Sequence, residues 1–324
     1  MENLKYTYSQ LSTNSVSRLI ALQYDIPEII DCKFYVLGLH DNYLIISNHI
    51  KYILRIYRND WRSEQEIQFE LELLTFLGKK NAPVATPLLT KTDNLSFTID
   101  SPEGIRIAAL FYYADGYAPG KDITLEQSNL LGKTVASVHQ IADTFETHLS
   151  RQNLDLSYLL DDSIVAIEPY IDLNSQLYLN ELKNKLKKTL ISRSNNMSVF
   201  GICIADINPT NFHINSQNQI TLFDFDQCGY GDRCFEIGKY ISSIHGTDKK
   251  NELSRVFIEG YQSVRNLSAE ELTAIPYYEM VSIIWVMAIH AYNANRIGYK
   301  YLEKPFWDRR IAIIKKLDKN LLQM

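Results

Sequence analysis

The sequence predicts an α+β fold of two lobes, a β-rich N-terminal lobe followed by a mainly helical C-terminal one. Three observations lead there. Short β-branched and aromatic runs crowd residues 32–57 and 95–113. Helix-period patterns with capping signals dominate after residue 124. The length, 324 residues with 46% hydrophobic side chains, can bury one large core or two modest ones, since domains commonly run roughly 100–200 residues, and two lobes are the working expectation. The turn-rich Asp115-Gly116 and Pro119-Gly120 pairs place the boundary near residue 113, giving lobes of 1–113 and 114–324.

In chain order, strands are expected at 32–39, 43–47 and 52–57, separated by His40-Asp41-Asn42 and Asn48-His49-Ile50-Lys51, a spacing that suits a meander. Ser63-Glu64-Gln65-Glu66 has the form of a capping box, and Ile67, Leu71 and Leu74 share one stripe of the helix that follows, expected over 64–77. Pro83 and Pro87 break the chain before strands at 95–99 and 105–113. A second capping box, Thr124-Leu125-Glu126-Gln127, opens a helix carrying Leu131, Val135 and Val138 on one face. Beyond it come helices at 175–192, 235–243, 250–264, 277–295 and 307–322, with a strand-like pair around 201–225.

Composition excludes several classes. A formal net charge of -5 without any long basic block argues against a nucleic-acid partner. Cys32, Cys203, Cys228 and Cys234 form no C-x-x-C pair, and the first 30 residues lack the pattern of a signal peptide, so a cytoplasmic setting is expected. The longest mainly apolar run, 280–289, is far short of the ~20 residues that span a bilayer, and reads as a buried helix rather than a membrane anchor. The histidines show no H-x-x-x-H spacing, and no G-x-S-x-G, G-x-x-x-x-G-K-[ST] or G-x-G-x-x-G motif occurs. Nothing marks an oligomer contact.

The chemistry concentrates in Ile204-Ala205-Asp206-Ile207-Asn208-Pro209-Thr210-Asn211, followed thirteen residues after Asn211 by Asp224-Phe225-Asp226. Phosphoryl transfer passes through a loose transition state, so a protein mainly supplies positioning and charge neutralisation. Asp206 can accept a hydrogen bond from a nucleophilic hydroxyl. Asn211 and Asp224, reached five residues later and at the end of the apolar Ile220-Thr221-Leu222-Phe223 run, offer the hard oxygens that magnesium prefers. A buried acid at a strand end would be costly without such a partner.

Residues 201–241 resemble the signature of the aminoglycoside phosphotransferase and choline kinase-like superfamily, roughly H-G-D-x-H-x-x-N, then I-D-F or I-D-L, then D-[LI]-A. Here these read I-A-D-I-N-P-T-N at 204–211, F-D-F at 223–225 and E-I-G at 236–238. The resemblance runs over about 34–317 and implies a protein-kinase-like fold and a small-molecule kinase. Its donor would be ATP or GTP with Mg2+, its catalytic base Asp206 and its metal ligands Asn211 and Asp224. By the same likeness Arg55 stands where the family carries its phosphate-contacting lysine, keeping the charge with a different geometry. Glu70 resembles the helix glutamate that pairs with it. Tyr112, Tyr113 and Ala114 fall where a hinge presents backbone groups to the base, and residues 38–42 resemble the turn over the nucleotide.

Three departures stand out. Ile204 and Asn208 replace the family's two histidines, so apolar packing at Ile204 is expected to brace the loop, and Glu236 replaces an aspartate. Base, metal ligands and phosphate-strand cation are all kept, which favours an active enzyme over a degenerate binding module. Acceptor recognition is assigned to Asp226, Tyr230, Asp232, Trp285 and His290, with Asn293 and Arg296, although Trp285 also suits a core position and Arg296 a helix end. Acidic groups in this set favour a small hydroxylated acceptor that is cationic, such as an amino alcohol or amino sugar. With only residues 227–235 between Asp226 and Glu236, no peptide-docking segment is expected.

Overall fold

In the computed structural model, which describes residues 5–191 and 200–321, alternating burial builds the first unit. Strand β2 (Asp41–Ser47) turns every second residue inward. It lies between β1 (Ile29–Leu37) and β3 (Ile50–Ile56) in a five-stranded antiparallel sheet of order β1-β2-β3-β5-β4, completed by β4 (Phe97–Ser101) and β5 (Gly104–Tyr112). Tyr43, Ile45, Leu54, Ile56 and Leu110 form the inner face with Val16 and Ile20 of helix α1 (Thr13–Gln23). That helix, N-capped by Ser12, is absent from the sequence expectations. Arg106 and Asp41 form an ion pair of 2.8 Å inside this core, and Arg106 also donates to the Tyr57 and Ile56 carbonyls, so the buried charge is fully engaged.

Helix α2 (Glu64–Lys79) starts at the predicted capping box, with Ser63 accepting from Glu66 N–H and Glu66 accepting from Ser63 N–H. The boundary between units is more involved than a single cut at 113. The first unit runs to Tyr117 and also takes in 145–151 and 213–226. The returning hairpin pairs β7 (Phe212–Ile214) with β8 (Ile220–Leu222), and Leu222 bridges Val84 while Ile214 bridges Tyr117. Gly116, with φ of 102°, allows that approach: a Cβ there would lie 2.1 Å from the Ile214 oxygen.

The second unit opens with α3 (Leu125–Ala142), whose Thr124–Gln127 capping box is present. An irregular helical run over 157–170 contains the short α4 (Ser163–Ile167) and leads to α5 (Leu173–Ile191); the expected last residue of this helix, Ser192, lies outside the described residues. Strand β6 (Phe200–Cys203) pairs antiparallel with β9 (Gly229–Asp232). The strand-like pair expected around 201–225 is therefore two separate pairings. Among the described residues five α-helices follow: α6 (Arg233–Ser243), α7 (Lys250–Gln262), α8 (Ala269–Tyr292), α9 (Ala294–Ile297) and α10 (Lys304–Leu321), with a 3-10 turn at Tyr299–Leu302 before the last. Leu322, the expected end of the last helix, lies outside the described residues.

Helix α8 begins at Ala269 rather than Tyr277, because a Ser268–Glu271 capping box starts it and Pro276 is carried inside. By length and composition it could cross a membrane, but it is the core helix of this unit, with Met280, Val281, Ile284 and Met287 fully buried. It meets α6 at Gly238, where a Cβ would lie 2.6 Å from the Tyr278 carbonyl carbon and 2.7 Å from the Glu279 nitrogen. The glycine of E-I-G is thus a packing requirement, lying between Glu236 and Lys239 in the same turn of α6.

Candidate active site

In the second unit the site is built on the loop that leaves β6. Ala205 adopts a left-handed φ of 67°, turning the chain so that Asp206 projects from the loop. The fully buried Glu236 of α6 holds this turn: its carboxylate accepts from the Ile204 N–H and, at 2.9 and 3.2 Å, from the Ala205 N–H. His139 Nε2 lies 3.3 Å from the same carboxylate, and its Nδ1 lies 2.8 Å from the Tyr261 hydroxyl. Burial lowers the His139 pKa, so a neutral ring donating to Glu236 and accepting from Tyr261 satisfies the network. This corrects one expectation. Ile204 is buried, but the loop is braced through its backbone by Glu236, with a histidine supplied from α3 rather than from position 204.

Asp206 is held from two sides. Its Oδ1 lies 2.7 Å from Lys239 Nζ, and its Oδ2 accepts from Asn211 Nδ2 at 2.7 Å. Asn211 also donates to the Asp206 carbonyl at 3.0 Å, which commits its NH2 group and leaves its amide oxygen for a cation. Asn208 closes the loop as a local turn, donating to the Asp206 carbonyl and accepting from the Thr210 N–H and hydroxyl. The Asp206 side chain stays 31% exposed, while Lys239 is buried. Lys239 escaped the sequence reading, though it stands three residues after Glu236 and so on the same helical face.

In the first unit, Arg55 of β3 sits between two acids. Its Nη1 donates to Glu70 at 3.1 Å and its Nη2 to Asp224 at 2.9 Å. Glu70 is 1% exposed and also accepts from the Tyr57 hydroxyl, whereas the Asp224 side chain is 40% exposed. Burial pushes Glu70 up to about 7 against the pull of Arg55. For Arg55, burial works against its charge, but Asp224 and Glu70 outweigh it and raise its pKa. Asp224 has a φ of 65°, a left-handed conformation uncommon outside glycine. Strain of this kind gathers at functional positions.

Asp226 was assigned to the acceptor, but its surroundings give it another task. It is 2% exposed, accepts from Trp61 Nε1 at 2.9 Å, and lies 3.0 Å from His40 Nε2 and 3.6 Å from Arg62 Nε. Arg151 donates to its carbonyl. Burial opposes its charge, yet His40, Arg62 and Arg151 hold the carboxyl well below its usual range, while desolvation lowers the His40 pKa. Asp226 therefore ties the turn after β1, the entry to α2 and the 145–151 segment together.

The remaining assignments divide in the same way. Asp232 is the N-cap of α6, accepting from Cys234 N–H and the Tyr278 hydroxyl. Trp285 is core, packed edge-on against Phe235. Asn293 is buried and donates to the Ile289 carbonyl at the end of α8, while Arg296 lies in the last turn of α9. Tyr230 is half-buried on β9, and its carbonyl accepts from Leu154. His290 differs: it is half-buried, donates to the Val286 carbonyl, and lies within electrostatic reach of Asp206, with burial lowering its pKa. Tyr113 lies edge-on to His213 with its N–H donated to Lys51, and the Ala114 carbonyl accepts from His213. The Ala114 N–H has no partner among the described residues.

A loop turned by one left-handed residue and bearing a carboxylate and an amide, with a sheet arginine paired to a helix glutamate, is the equipment of a kinase-like phosphotransferase. The model of the phosphotransferase enzyme family matches residues 33–272. The chain belongs to that family, whose members transfer a phosphoryl group to an alcohol. An uncharacterised protein of Synechocystis sp. is 36% identical over 96% of this chain and 86% of its own length. Among solved structures, a microcompartment-associated aminopropanol kinase matches with TM-score 0.79 at 21% identity, over 94% of this chain and 95% of its own. An amicoumacin kinase solved with AMP-PNP, Ca2+ and its antibiotic matches with TM-score 0.78 at 20% identity, over 96% and 94%. The fold is that of a protein-kinase-like phosphotransferase, with a β-sheet N-terminal region and a helical C-terminal part.

Proposed function

We propose that this protein transfers the γ-phosphoryl group of ATP or GTP to a hydroxyl of a small metabolite, with Asp206 orienting that hydroxyl and accepting its proton. The observation that carries this reading is the Asp206 carboxylate itself, clamped by Lys239 and Asn211 on a loop locked by Glu236, yet open to solvent. A catalytic carboxylate must be aimed before substrate arrives, and two fixed donors aim it. Lys239 orients Asp206 through one oxygen, and the lone pairs left on that carboxylate can accept from the acceptor hydroxyl.

Asn211 and Asp224 suit magnesium by the chemistry of their donors. The Asn211 amide oxygen is unclaimed because both its N–H groups serve Asp206, and the exposed Asp224 carboxylate shares only one oxygen with Arg55. Bound with the nucleotide, magnesium supplies neutralisation of the phosphate charge. Arg55, backed by Glu70, is the cation for the phosphates, and the Ala114 N–H is the donor for the base. A cytoplasmic setting and a hydroxylated metabolite as partner accord with this reading, and the neighbours' acceptors, aminopropanol and amicoumacin, are small molecules.

A thermal-shift titration with ATP and GTP, with and without magnesium, tests it. Wild type should be stabilised by magnesium-nucleotide and Asp224→Ala should lose that response. No shift with either nucleotide would instead support a non-catalytic, kinase-like binding protein.

A further inference from the structure

A pocket of about 580 Å³ opens in the second unit, lined by the Asn208–Thr210 stretch of the catalytic loop and by Lys239, the residue that contacts Asp206. Its opposite wall is α10, which contributes Arg309, Arg310 and Ile313, while Ile283 and Val286 of α8 supply an apolar side. Ser242, Ser243 and His245 complete it. Among the described residues, no acidic side chain lines this pocket.

The two arginines are chemically unusual for neighbours. Arg309 donates to the Pro305 carbonyl at 3.0 Å, and Arg310 donates to the Phe306 carbonyl at 3.2 Å with its guanidinium 3.7 Å from the Phe306 ring centre. Neither has a carboxylate partner among the described residues. The nearby acids are already committed: Asp308 to Lys304, and Glu279 to Lys250 and His245. Arg310 is half-buried, and its pKa is lowered by that burial and then by the charge of Arg309. The half-buried Arg310 guanidinium, beside that of Arg309, has no counter-charge among the described residues to offset its desolvation, and a planar oxyanion is the ligand that would meet both with bidentate hydrogen bonds.

Resting on the proposed kinase reading, we infer that the acceptor carries an anionic group, a carboxylate or a phosphate, held by Arg309 and Arg310, with its hydroxyl delivered to Asp206 across the apolar strip of Ile283 and Val286. The pocket lacks the acids that the expected cationic acceptor would need. An amino group on the acceptor is compatible only as part of a molecule that also carries the oxyanion.

The test uses four probes of one length: 1,4-butanediol, 4-aminobutan-1-ol, 4-hydroxybutanoate and 4-hydroxybutyl phosphate. Binding to the full chain is measured by calorimetry without nucleotide, and magnesium-ATP binding is measured in the same preparation. At least one anionic probe should bind about tenfold or more tightly than the diol and the amine, and Arg309→Gln should remove most of that margin, as expected for one lost charge-assisted contact. The two anionic arms separate carboxylate from phosphate recognition. Arg309 is exposed, so the variant should fold as wild type does. Tightest binding of the amine or the diol, binding of none of the four, or a margin left unchanged by Arg309→Gln would each overturn the inference. Loss of magnesium-ATP binding in wild type would sink the kinase reading instead, so the two failures are distinguishable.

Discussion

The two charged clusters use the same plan in opposite chemistry. In the first unit a buried glutamate, Glu70, positions its working group through a side-chain cation, Arg55, which reaches the exposed Asp224. In the second unit a buried glutamate, Glu236, acts through the backbone N–H groups of Ile204 and Ala205 to aim Asp206. A brace made through a side chain depends on the identity of that side chain, so on the proposed reading position 55 must remain a cation. A brace made through the backbone leaves the braced positions free to vary. That is why position 204 carries isoleucine in place of a histidine with the turn intact, whereas position 208 works through its side chain, the Asn208 amide closing the loop.

The largest effect expected from this comparison is on chemistry. Asp206→Asn keeps the shape and the Asn211 contact but removes the base, and turnover should fall about 10²–10⁴-fold. Its magnesium-nucleotide thermal shift should match wild type; unimpaired turnover would take Asp206 out of its assigned role.

Glu236→Ala comes next. It orphans two buried N–H groups and removes a partner of His139, at a cost of about 2–5 kcal/mol in urea unfolding. A loss below ~1 kcal/mol would show that the loop stands without its backbone brace.

For Asp226→Asn the effect should depend on pH. The folded carboxyl titrates below its ordinary value of ~3.9, so its ionised form contributes stability above that pH. The contribution drains as pH falls through the unfolded value toward the folded one. The stability gap between wild type and variant, clear at pH 7, should therefore close on acidification below about pH 4. A gap that stays constant in unfolding titrations across that range would mean that the His40, Trp61 and Arg62 contacts do not depend on the charge.

Smallest of all, Ile204→Val removes one buried methylene and should cost about 1 kcal/mol with kcat unchanged. A large fall in kcat would show that the side chain, and not only the backbone, governs the loop.

Much of this was legible in the sequence where the signal is local. The capping boxes at Ser63 and Thr124 and the β-branched and aromatic runs at 43–47 and 52–57 need only neighbouring residues, and the helices and strands that they predict are present. The motif residues of the loop and of Asp224 were legible for the same reason. What escaped depends on distant partners. Helix α1 buries only Val16 and Ile20, too little periodicity to announce a helix, and gains its place from the sheet face that it covers. The β6 and β9 strands are four residues each and are defined by one another across the sequence, with Cys203 opposite Gly229 and Phe200 opposite Asp232. Lys239 and His139 are an ordinary lysine and histidine in helical sequence until the fold brings them to Asp206 and Glu236. Asp226 looked like an acceptor ligand because an acid beside a metal motif suggests exposure, and only its packing reveals that it is enclosed.

The return of residues 213–226 to the first unit has a consequence for how such a protein can diversify. Exchange of its first 117 residues with those of a relative would separate the sheet from the hairpin that carries Leu222 against Val84 and His213 against Ala114. A chimera made at that point inherits a sheet from one parent and its supporting ribbon from the other.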